Sequence, residues 1–116
     1  MTSHATKLLF ICSRNKIRSL TAEKLIEGVP GYEARSAGTQ PSARVGVTPG
    51  LLRWADFVFF MEKAHLQKVR ERFPEDLDGK RAIVLHIPDE YQFMAEDLIE
   101  EVRAKLAEHV HLPAAE

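Results

Sequence analysis

The sequence predicts an α/β domain, a three-layer sandwich with a four-stranded parallel sheet carrying helices on both faces. Three observations predict it. Short apolar runs alternate with segments whose apolar residues recur at helical spacing. The runs Leu8-Leu9-Phe10-Ile11 and Phe57-Val58-Phe59-Phe60-Met61 are apolar throughout, as parallel strands buried on both faces are. Breakers separate the segments, among them Gly28, Pro30-Gly31, Pro74 and Gly79.

Taken in order, residues 7–11 form the first strand. Cys12 to Ser19, reading Cys-Ser-Arg-Asn-Lys-Ile-Arg-Ser, forms a loop, and a helix runs over 20–27 with Ala22, Leu25 and Ile26 toward the core. Residues 32–35 make a second strand, followed by the turn-prone Ser36-Ala37-Gly38-Thr39 and an irregular surface loop over 40–47. Thr48-Pro49 is an N-cap with proline at the first helical position, opening a short helix through Leu51, Leu52 and Trp54. The strand at 57–61 is the most apolar in the chain and is placed centrally. Leu66, Val69 and Phe73 then mark a helix, and 74–79 a loop. A fourth strand over 82–85 and an acidic, aromatic loop over 87–93 lead to a final amphipathic helix. That helix carries Leu98, Ile99, Val102 and Leu106 and ends near 110. A tail over 1–6 is expected to be disordered and 7–112 to be one domain.

Bulk properties narrow the possible partners. The chain has 116 residues, 45% hydrophobic and 28% charged, the balance of a soluble globular protein. A formal net charge of −1 gives no reason to expect nucleic acid or an anionic membrane as partner. Every apolar run is far shorter than the roughly 20 residues a membrane span needs, and the polar start of the chain does not read as a signal peptide. The single cysteine suits a reducing cytoplasm and excludes an internal disulfide. Neither a metal nor a cofactor is expected, since the five histidines show no ligand-like grouping. Oligomeric state is left open.

The chemistry concentrates on Cys12. It lies between a strand and a helix N-terminus, where unpaired backbone N–H groups and the positive end of the helix favour an anion and thus a thiolate. Arg18 adds a planar fork able to hold two phosphate oxygens together. The residues from Ser13 through Arg14, Asn15, Lys16 and Ile17 to Arg18 and Ser19 are therefore read as a phosphate-binding loop. In such sheets ligands bind beyond the carboxyl ends of the strands, where strand order reverses. An acid must come from downstream, because none of the eleven residues before Cys12 is acidic. Asp89 is best placed, with Glu90 as its rival; Glu62 also ends a strand but begins a helix.

These stretches resemble the low-molecular-weight protein tyrosine phosphatases. The resemblance lies in residues 8–23 with their C-x5-R-S loop, in Arg35-Ser36-Ala37-Gly38-Thr39, in residues 55–62, and in Asp89-Glu90-Tyr91. It implies a phosphotyrosine phosphatase I-like fold and a cysteine-dependent phosphatase. Such an enzyme hydrolyses phosphotyrosine or similar aryl phosphates, borne on a protein or a small molecule, through a phosphocysteine. By the same resemblance Cys12 is the nucleophile, Arg18 and the loop N–H groups hold the phosphoryl oxygens, and Ser19 stabilises the thiolate. Asn15 and Ser36 support the loop, Asp89 is the general acid, and Tyr91 is a wall for the substrate ring.

The sequence departs from the family's pattern at several places. Leu20 follows the Arg-Ser where a proline is usual, and the proline usual after the acid stands before it as Pro88. Arg14 replaces a small residue, and Ile17 stands where a second loop cysteine often occurs. The segment over 40–54 is shorter than usual, and in the family that segment helps form the substrate wall. Two other functions fit the same scaffold: a non-catalytic phospho-ligand or oxyanion binder, and an arsenate reductase. The thioredoxin-coupled reductase needs further cysteines, which this chain lacks.

Overall fold

The computed structural model describes residues 5–112, and the first four positions of the tail expected over 1–6 lie outside them. Four parallel strands form one sheet in the order β2-β1-β3-β4. They are β1 (Thr6–Cys12), β2 (Tyr32–Gly38), β3 (Phe57–Phe60) and β4 (Arg81–Val84). Strand β1 sits inside the sheet, pairing β2 from Thr6↔Tyr32 to Cys12↔Gly38 and β3 from Leu8↔Phe57 to Ile11↔Phe60.

Alternation along the strands divides the core in two. Leu8, Phe10 and Cys12 of β1 join Phe59, Ala22, Ile26, Leu98 and Val102 on the face covered by α1 (Arg18–Ile26) and α5 (Glu96–Leu106). Leu9 and Ile11 join Val58, Phe60, Leu52 and Val69 on the other face. That face carries α2 (Pro49–Trp54), α3 (Lys63–Arg72) and α4 (Pro74–Leu77). Leu8, Leu9, Phe10 and Ile11 are all wholly buried, as an apolar run covered on both faces should be. Phe10 and Phe59 stack with centroids 5.4 Å apart.

Thr6, expected in the tail, pairs with Tyr32 and opens β1, and α5 ends at Leu106 rather than near 110. Three further elements differ from the sequence expectation. Strand β2 continues through Ser36, Ala37 and Gly38, because β1 offers ladder partners as far as Cys12. Helix α1 starts at Arg18, two residues early, so that arginine belongs to its first turn. Residues 74–77, expected as loop, form the single turn α4, with proline at its first position and Leu77 buried. Thr48 caps α2 as expected, its side chain accepting the Leu51 N–H at 3.1 Å. No helix among the described residues is long and apolar enough to cross a membrane.

The chain leaves β1 for β2 on one side and later reaches β3 on the other. The carboxyl ends of β1 and β3 therefore flank the place where strand order reverses. Cys12 ends the first of these strands, and Glu62 follows the second within two residues.

Candidate active site

The loop between β1 and α1 is shaped from its outer side. The Cys12 carbonyl accepts the Thr39 N–H (3.0 Å), Ser13 that of Gln40 (3.0 Å) and Arg14 that of Arg44 (2.9 Å). The Asn15 carbonyl accepts the Arg44 Nε–H at 3.1 Å. With four carbonyls turned outward, the loop presents its N–H groups to the concave side, the arrangement that binds anions. Gly38 lets the outer segment come this close: a Cβ there would stand 2.5 Å from the Ser13 oxygen and 2.7 Å from the Ala43 Cβ. Asn15 takes the left-handed backbone (φ 60°) that asparagine tolerates and that bends the loop.

Cys12 is buried, and its Sγ meets the Asn15 N–H at 3.3 Å and Ser19 Oγ at 2.9 Å. Asn15 Nδ2 donates to Ser19 Oγ at 2.8 Å, which leaves the serine's own hydrogen for the sulfur. The Ala37 carbonyl, at 3.5 Å, is the weaker alternative acceptor.

Arg18 is 2% exposed, and Nη1 donates both to Glu62 Oε2 and to the Ile87 carbonyl, the latter at 2.9 Å. Its Nε lies 3.8 Å from Asp89 Oδ1, too far for a hydrogen bond. The hydrogen bond from Arg18 holds Glu62 below the usual carboxylate range, against the opposing effect of partial burial. His65 is 3% exposed, with Nδ1 accepting the Glu62 N–H at 3.0 Å and Nε2 2.9 Å from Ser13 Oγ. Burial first, then the Arg18 charge, push its pKa down from 6.5 to about 4, so the ring is neutral near pH 7.

These groups enclose a pocket of about 150 Å³. Cys12, Ser13, Arg18 and Asp89 line it, with Arg14, Lys16 and Ile17 at its sides. Asp89 is exposed at the mouth, and Glu90 does not reach the lining.

Two of the expected site residues lie elsewhere. Tyr91 stands outside the pocket. It is half-buried against the α1/α5 core, and desolvation and then the Glu101 carboxylate raise its phenol pKa. The cause is the path of the loop, which crosses α1, with the Met94 N–H donating to Thr21 Oγ1 at 3.0 Å, before entering α5. Ser36 does not meet Asn15; its hydroxyl donates to Glu23 Oε1 on α1. Asn15 Oδ1 is accordingly buried with no hydrogen-bond partner.

Sequence reasoning set Glu62 aside and missed His65 and the Thr39–Arg44 contacts. Glu62 does begin a helix, as the N-cap of α3, and it still faces Arg18. Its place after β3, beside the reversal of strand order, was the available signal. No group of three or more His, Cys, Asp or Glu able to hold a metal occurs among the described residues.

No family model matches the sequence, and neither does any curated protein. Solved structures do match. The tyrosine phosphatase Wzb from Escherichia coli K30, in complex with phosphate, superposes with a TM-score of 0.71 at 21% identity over 90% of this chain and 95% of its own. A low molecular weight protein tyrosine phosphatase from T. tengcongensis gives 0.70 at 21% identity, over 91% of this chain and 100% of its own. The YwlE arginine phosphatase from Geobacillus stearothermophilus gives 0.59 at 25% identity, over 89% and 84%.

Proposed function

We propose, for a chain that has the fold of the low molecular weight protein tyrosine phosphatases, a cysteine-dependent phosphatase acting through a phosphocysteine. Its substrates are phosphotyrosine or similar aryl phosphate monoesters. One observation carries the reading: Cys12, Arg18 and Asp89 line one pocket. A binder needs the first two elements of that pocket only as an anion clamp; an acid at its mouth serves turnover.

In the first step the Cys12 thiolate attacks phosphorus. The P–S bond forms as the P–O bond to the leaving group breaks, and protonated Asp89 gives its proton to the departing oxygen. Arg18 and the inward N–H groups stabilise the charge on the equatorial oxygens. In the second step water attacks phosphorus, Asp89 takes a water proton, and the P–S bond breaks. Ser19, itself held by Asn15, donates to the sulfur as it regains its charge. The lone cysteine fits a reducing cytoplasm, where we place the protein.

A second reading concerns the leaving group. Tyr91 is outside the pocket lining, while two carboxylates, Glu62 and Asp89, stand beside Arg18. A pocket whose lining lacks an aromatic wall does not select an aryl leaving group, and the arginine phosphatase from Geobacillus stearothermophilus is among the similar structures. Steady-state turnover of phosphotyrosine and phosphoarginine peptides, with Cys12→Ser as control, tests both readings. Phosphate binding with no hydrolysis of either would leave only the binder.

A further inference from the structure

We propose that His65 is a positioning residue that holds the Ser13 hydroxyl so that its hydrogen points at the phosphoryl group of the substrate. A neutral imidazole carries one N–H, and the other nitrogen is an acceptor. Nδ1 of His65 accepts the backbone N–H of Glu62 at 3.0 Å, so the ring proton sits on Nε2. Nε2 therefore donates across 2.9 Å to Ser13, and the serine oxygen accepts. The serine's own hydrogen is then left over. Among the described residues its hydroxyl has no partner besides His65, while Ser13 lines the pocket beside Cys12 and Arg18. An anionic oxygen in that pocket is the acceptor it lacks.

The connection also explains why a buried histidine stands at the third position of α3. It joins the N-terminus of α3, which follows β3, to the loop that follows β1, tying together the two strand ends at the reversal of strand order. A plain helix-end role would need only the bond to the Glu62 N–H and would make Ser13 dispensable.

The inference rests on the phosphatase reading for its rate measurements but not for its binding measurements. The test is a double-mutant cycle on Ser13→Ala, His65→Leu and the pair, with His65→Gln as the conservative variant. It reads kcat/KM for an aryl phosphate and the Kd of inorganic phosphate by calorimetry, with thermal unfolding as a check on folding. Each single variant should weaken phosphate binding by about tenfold, the worth of a hydrogen bond to a charged group. The pair should be no worse than either, because His65 acts through Ser13. His65→Gln, whose amide N–H can stand in for Nε2, should recover most of the loss. An unchanged Kd in Ser13→Ala, or losses that multiply in the pair, would overturn the proposal. Should His65→Leu fail to fold, the ¹⁵N spectrum of the wild-type imidazole decides: Nε2–H is expected, and Nδ1–H contradicts. A coupled cycle in phosphate binding without turnover would sink only the phosphatase reading, whereas normal turnover with an additive cycle would sink only this one.

Discussion

Glu62 accepts a hydrogen bond from Nη1 of Arg18, and the Ile87 carbonyl accepts another from the same nitrogen. The guanidinium is thereby anchored at one corner, from the ends of β3 and β4. Its Nε and Nη2 hydrogens, which make one flat edge of the fork, make no hydrogen bond among the described residues. That edge is the one that matches two oxygens of a phosphate. Glu62 thus helps set the orientation of Arg18.

Glu62→Ala should therefore weaken phosphate binding by about tenfold, from loss of one hydrogen bond between charged groups. Arg18→Lys should lose both binding and rate, because an ammonium cannot make the paired contact. Calorimetric titration with inorganic phosphate checks both. Binding of wild-type strength in Glu62→Ala would show that Ile87 alone fixes the fork.

Asp89→Asn should slow substrates with poor leaving groups, such as phosphotyrosine, by about 10²–10⁴-fold, the usual worth of general acid catalysis. Acidic phenols, which leave unaided, should suffer less. Glu90→Gln should show no such dependence, since Glu90 does not line the pocket. A leaving-group series on the two variants separates them, and the reverse pattern would move the acid to Glu90.

The fold was largely legible, and the site partly so, for one physical reason. Apolar runs and breakers report burial and chain reversal, which are local, so all four strands and the loop at Cys12 could be read directly. Strand β2 was cut short at Arg35 because Ser36-Ala37-Gly38 has poor strand propensity; pairing with β1 overrides it. What the sequence hid is long-range. Arg18 and Glu62 are 44 positions apart and Ser13 and His65 are 52 apart, and only the sheet order brings them together. Tyr91 lies outside the pocket lining for the complementary reason: its neighbour Asp89 faces the pocket, but the anchoring of Met94 on Thr21 draws the loop toward α5.

Acid should destabilise the protein through His65. Its folded pKa is about 4 against 6.5 unfolded, so between those values the unfolded chain takes up a proton that the folded one does not. Stability is then unaffected above pH 6.5, falls as pH drops toward 4, and levels below. Glu62 has a lowered pKa, so its contribution is present above the ordinary carboxylate value and is lost as pH falls through the folded one. Urea unfolding of wild type and His65→Gln across pH 4–7 checks the first claim. The variant should show a flatter dependence on pH, and an identical slope would place the effect elsewhere.

Peroxide should inactivate the protein with little recovery. Phosphate in the pocket should shield Cys12, but no second cysteine exists to trap the sulfenic acid as a disulfide, and Ile17 stands in the loop position where one could. After increasing exposure and then reductant, activity should be progressively lost while intact mass gains two oxygens, the sulfinic state. Full recovery after long exposure, without that mass, would reveal a protective reaction at the loop.

In the proposed reaction Cys12 carries the phosphoryl group between the two steps. Rapid acid quench of the protein during turnover of an aryl phosphate, followed by peptide mass analysis, tests it most directly. The peptide bearing Cys12 should gain one phosphoryl group, more of it in Asp89→Asn when the leaving group is an acidic phenol that departs unaided and only the water-attack step lacks its base, and none in Cys12→Ser. Turnover at the wild-type rate in Cys12→Ser, or phosphorylation on another residue, would contradict it.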